Sequence, residues 1–108
     1  MDDLAHDRDR LQQIAGSFLD RQMSLLEAAY KLLPIINRNR ELASEDDSRF
    51  IIGINSETDD LPIGPVRELW DEDALRDKDR EIKRCEEIWD DEFRETCKRI
   101  LLRLQNLP

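Results

Sequence analysis

A chain of 108 residues is the size of one domain: one core closes at this length, and a second would be too small to bury its own surface. Charged residues make up 40% and hydrophobic residues 39%, while three glycines and four prolines leave little material for the tight turns of a sheet, so residues 1–108 are expected to form a single, mainly all-α domain. The net charge of −9 repels nucleic-acid phosphates and anionic membrane surfaces, which excludes both as partners and favours a basic protein, toward which opposite charge speeds encounter.

From Leu4 to Ile36 apolar residues recur three or four apart, at Leu11, Ile14, Phe18, Leu25, Leu26, Ala29, Leu32 and Leu33 among others, which is helical spacing. Asp2 and Asp3 suit its start. Ser24-Leu25-Leu26-Glu27 reads as a capping box that restarts a second helix after a bend near Asp20 to Met23, and the pattern fits one bent helix or two. Pro34 has no N–H to donate, so it should kink or end the segment. Residues 37–49 lack a sustained apolar face and read as a solvated connection.

The character of the chain then changes. Phe50-Ile51-Ile52-Gly53-Ile54 fits a buried extended piece or one turn of helix, and Leu61-Pro62-Ile63-Gly64-Pro65 is too rich in Pro and Gly for a helix interior. Pro65 can open a short turn over Val66 to Trp70. Asp71-Glu72-Asp73 places negative charge where the positive end of a last helix wants it. Along that helix Leu75, Ile82, Cys85, Trp89, Phe93, Cys97, Ile100, Leu104 and Leu107 mark one stripe. Glu72 with Arg76, Asp79 with Lys83, Asp90 with Arg94 and Glu95 with Arg99 are spaced to pair along its flank.

Residues 72–105 as one helix would run about 51 Å, whereas a sphere holding this chain is roughly 34 Å across. Either the helix breaks or the domain is an elongated antiparallel bundle of three or four helices, with an irregular or short extended segment around residues 50–65. The two apolar stripes need more cover than each other, so the middle segment or a second subunit must supply it, and a homodimer is expected.

Ser56-Glu57-Thr58-Asp59, Leu61-Pro62-Ile63-Gly64-Pro65-Val66-Arg67, Trp70 and Lys78-Asp79-Arg80-Glu81-Ile82 together resemble the pattern of an uncharacterised family of small acidic bacterial proteins. The resemblance extends loosely over the chain, and Pro65 departs from it where the family carries a polar residue. It implies no activity.

Ser56, Glu57, Thr58, Asp59, Asp60, Arg67 and Trp70 form the candidate binding loop. Its short polar residues are types that bond back to their own backbone, and Arg67 can lock the turn by pairing with Glu57 or Asp59. Read functionally, the same loop is a rigid recognition element with Arg67 and Trp70 as anchors. The acidic residues do not match the spacing of an EF-hand. Glu68 with Asp71, Glu87 with Asp90 and Glu92 with Glu95 are helical carboxylate pairs of the kind that all-α pyrophosphohydrolases use to hold Mg²⁺, which makes a Mg²⁺-dependent hydrolase at Glu87 and Asp90 the alternative. Against it, a charge run is ordinarily a solvated face. His6 is the only histidine and has no companion for zinc or a triad.

Cys85 and Cys97 lie roughly 18 Å apart on one helix, too far for a disulfide, and with Trp89 and Phe93 they read as core. No cofactor is expected. With no signal peptide and no membrane-length apolar run, the expected location is the cytoplasm. The leading expectation is a non-enzymatic protein-interaction or regulatory module, immunity-like in binding a basic protein.

Overall fold

Two serines and an aspartate decide where three of the helices begin. A computed structural model describes residues 3–107, in which 83% of the chain is helical and no strand occurs among the described residues. The four long helices are α1 (Asp3–Leu19), α2 (Leu25–Arg38), α3 (Glu45–Glu57) and α4 (Glu72–Gln105). Ser24 caps α2 by accepting from the Glu27 N–H at 3.3 Å, and Ser44 caps α3 by accepting from the Asp47 N–H at 3.1 Å. Asp71 does the same for α4 through the Asp73 N–H at 3.0 Å. Each satisfies a backbone donor that has no partner inside its helix. The cap expected of Asp2 lies outside the described residues.

The bend near Asp20 separates two helices. Gln22 N–H donates to the Ser17 carbonyl at 2.8 Å and Arg21 N–H to the Phe18 carbonyl at 3.0 Å, the paired bonds of a Schellman turn. Arg21 occupies its left-handed position, with φ 61°, where glycine is the usual residue. Pro34 neither ends nor breaks α2, which continues to Arg38. Its ring is exposed, so packing does not oppose it, and the price is a Tyr30 carbonyl without its usual N–H donor.

Residues 37–49 are not a solvated connection, and 50–54 are not extended. A 3-10 turn at Arg40–Leu42 puts Leu42 and Ala43 into the core, and α3 then carries Asp47, Ile51, Ile54 and Thr58 inward. That spacing of four, three and four is helical, but half of the stripe is polar, which hides it from a hydrophobic pattern. Gly53 lies on the solvent side, so it weakens α3 only by its propensity.

α4 is one unbroken helix of 34 residues, and the protein measures 49 × 29 × 23 Å. The elongated alternative is the correct one. α1 and α2 are antiparallel, as are α2 and α3; α4 returns along α1 with a smaller contact to α2, and the Arg99–Asp47 tie joins its last turns to the start of α3, closing the bundle. Phe93 is fully buried there, edge-on to Phe18 at 4.8 Å between ring centroids and near Phe50 at 6.3 Å, among Leu11, Ile14, Leu26, Ile36, Ile51 and Ile100.

Charged ties girdle this end. Buried Asp7 receives two hydrogen bonds from Arg38, at 2.7 and 3.1 Å, and a further one from Asn39. Buried Asp47 receives Arg99 at 2.9 Å, Arg8 donates to the Leu104 and Leu107 carbonyls, and Arg103 donates to that of Glu41. Ser48 contrasts with them: its hydroxyl is buried without a hydrogen-bond partner among the described residues.

Of the four ion pairs expected along α4, Asp90 with Arg94 forms, at 3.3 Å. The others lose to better partners: Arg76 takes Asp73, Asp79 takes Arg67, and Arg99 leaves Glu95 for Asp47. No helix among the described residues is long and apolar enough to cross a membrane.

Candidate functional site: a clamped loop and its groove

Thr58 ends α3, its hydroxyl donating to the Ile54 carbonyl at 2.7 Å. The chain turns, buries Leu61 and Pro62, and changes direction at Gly64, whose φ of 79° suits a residue without a Cβ. A 3-10 stretch, Gly64–Leu69, opens with Pro65 and leads through Trp70 to the cap of α4.

Arg67 fixes this stretch, but not by the expected route. It pairs with neither Glu57 nor Asp59; its guanidinium reaches across to Asp79 on α4 with two bonds, at 2.8 and 3.0 Å, and donates a third to the Pro62 carbonyl at 3.1 Å. The two guanidinium nitrogens meet the two carboxylate oxygens in a bidentate pair. These hydrogen bonds hold the Asp79 carboxyl below its ordinary range and raise the Arg67 guanidinium further. Lys78 adds a looser tie to Asp60 at 4.0 Å.

Between this loop, the last turn of α3 and the flank of α2 lies a groove of about 580 Å³, within the size range of small-ligand and anchor pockets. Tyr30 and Leu33 of α2 form one wall and Leu61, Ile63, Pro65 and Val66 the other, with Asn55, Thr58 and Asp59 contributed by the end of α3. Tyr30 is 59% exposed and Val66 44%, and neighbouring Leu69 is 85% exposed.

The candidate residues are therefore divided. Thr58 and Asp59 line the groove, while Asp60 and Arg67 hold its loop to α4. Ser56 and Glu57 sit exposed on the last turn of α3, and Trp70 is half-buried outside the groove lining. Tyr30 and Asn55 were not legible as site residues, because each reads as an ordinary helix position until the loop is folded over it.

Glu87 and Asp90 share an open acidic cleft of about 410 Å³ with Glu86, Asp91, Arg21 and Lys83. Asp90 is taken by Arg94, Asp71 by its cap and Glu95 by Lys98. No group of three or more His, Cys, Asp or Glu among the described residues is placed to hold a metal ion. Burial pushes the Cys97 thiol up to about 12, and burial followed by Glu81 and Glu57 raises that of Cys85, so neither thiol is activated. Compared with protein-family models, with curated proteins and with solved structures, the chain matches none.

Proposed function

We propose that the protein is a non-enzymatic interaction module, regulatory or immunity-like, that binds a basic protein partner through the Tyr30–Val66 groove. The observation that carries this reading is an apolar, solvent-open groove beside a loop that Arg67 and Asp79 clamp in place. Loops ordered before binding lose less entropy on docking, and exposed Tyr and aliphatic side chains in a concave setting are the common currency of interface anchors. A net charge of −9 selects against anionic surfaces and speeds encounter with a basic one. A reducing cytoplasm suits two free thiols.

The test is affinity capture from the native host's lysate with three baits in parallel: wild type, Val66→Asp, and Leu102→Asp as a control at an exposed apolar position on α4. A protein retained by wild type and control but lost with Val66→Asp supports the reading. Identical retention by all three baits, or none by any, overturns it.

A further inference from the structure

The polar groups that the groove offers are nearly all acceptors. Asn55 spends its side-chain N–H groups on the Ala29 and Ile51 carbonyls, both at 2.9 Å, which leaves its Oδ1 without a donor among the described residues. The Thr58 hydroxyl is committed to Ile54. Asp59 lines the groove and has no ion-pair partner among the described residues. The cations on adjoining elements are already engaged, Lys31 with Glu27 at 2.9 Å, Arg67 with Asp79 at 2.8 Å and Lys78 with Asp60 and Glu81. Among the described side chains lining the groove, only the Tyr30 hydroxyl is left to donate.

We infer that the groove recognises a short basic segment of a partner protein, in which a bulky apolar side chain flanked by Lys or Arg enters between Tyr30 and Val66 while the cationic flanks meet Asp59 and the Asn55 side-chain oxygen. This deepens the interaction reading above and rests on it. An anionic or acceptor-rich occupant would meet like charge and acceptors facing acceptors, both of which cost binding energy. A second copy of this chain is disfavoured by the same charge, since it would bring another nine negative charges against the rim.

The test uses fluorescein-labelled hexapeptides in anisotropy titrations with the full chain. One has Trp-Leu at its centre and Lys and Arg on both flanks; the second keeps Trp-Leu between Glu residues; the third keeps the basic flanks around Ser-Ser. The first should bind saturably and at least about tenfold tighter than either of the others. Asp59→Asn should weaken it about two- to fivefold and flatten its dependence on salt, as removal of one exposed charge does. Val66→Asp and Tyr30→Ser should each remove saturable binding while circular dichroism keeps the helical signal, since both side chains are largely exposed.

Equal binding of the first and third peptides, insensitive to Val66→Asp, would mean diffuse attraction to an acidic surface and would overturn the inference. So would preference for the Glu-flanked peptide, or a dimer in sedimentation that Val66→Asp dissolves, since the groove would then hold a second copy. If lysate capture finds a groove-dependent partner and all three peptides fail, the interaction reading survives and this partner chemistry falls. If both fail, both fall.

Discussion

Along α4 the backbone hydrogen bonds run without a break, yet its two halves are held by different physics. From Phe93 to Leu104 five side chains are buried, among them Phe93, Cys97 and Ile100 with no exposure at all, and Arg99, Arg103 and Arg94 reach out to Asp47, the Glu41 carbonyl and the Phe18 ring. From Glu72 to Glu92 no side chain is fully buried. Leu75, Ile82, Cys85 and Trp89 are half-covered, and the exposed face is supported by short-range pairs such as Arg76 with Asp73 and Arg80 with Asp77, which are small contributions each. The specific ties here are the Arg67–Asp79 clamp and the Leu26 N–H donating to Glu86 at 3.1 Å. Regular backbone is therefore no measure of how firmly a helix is anchored; the far half of α4 is a platform for the binding loop, the near half is the core.

The chain carries its own pair of probes for this difference, one thiol in each half. In the native state Cys85 should react with a neutral alkylating reagent slowly but directly, whereas Cys97 should wait for global opening, a gap of at least about a thousandfold in rate for a domain of ordinary stability. Mass-spectrometric labelling kinetics measure both, and comparable rates would dissolve the distinction. Truncation gives the next largest contrast. Phe93→Ala should cost about 3–5 kcal/mol and lower the denaturation midpoint of the whole protein. Ile82→Ala should cost about 1 kcal/mol because part of that side chain is already wet, with hydrogen exchange quickening in residues 72–82 and little elsewhere.

Acid acts on the tight end through Asp7. The Arg38 hydrogen bond, above all, holds the Asp7 carboxyl below its ordinary value of 3.8 against an opposing effect of burial. A carboxyl depressed in the folded state adds stability above that ordinary value and loses it as pH falls through the folded one. Asp7→Asn should therefore be less stable than wild type at pH 7, and the difference should shrink on titration below about pH 4. A constant difference across that range would show that Asp7 contributes by shape and not by charge. The smallest effect expected is a gain: Arg21→Gly relieves a left-handed residue at the turn where the two regimes of α4 meet, and should stabilise by about 0.5–1 kcal/mol in chemical denaturation.

What the sequence made legible follows the same division. The start of α4 at Asp71, the restart at Ser24 and the stripe through Phe93 and Ile100 are readable because caps and periodicity are local. α3 escaped because Asp47 and Thr58 occupy core positions of its stripe, and their burial makes sense only once Arg99 and the Ile54 carbonyl are known to be beside them. The loop from Ser56 to Trp70 was visible as a departure from helical pattern, but its clamp was not, since nothing local to Arg67 points to Asp79. The groove was less legible still: one wall belongs to α2, and Tyr30 breaks its apolar pattern in a way that reads as surface.

The contact between Arg8 and the Leu104 carbonyl spans 96 positions, and α1 makes its broadest contact with α4. Leu11, Ile14 and Phe18 are thus synthesised early and covered last. While the chain is being made, α1 to α3 can pair among themselves but must keep one apolar face open until the final turns of α4 exist, so closure of the core is a late, long-range event with a loop-closure cost to match. A nascent chain of this design is at its most aggregation-prone just before the last turns of α4 emerge, and the strongly acidic composition supplies a mutual repulsion that opposes aggregation in that interval.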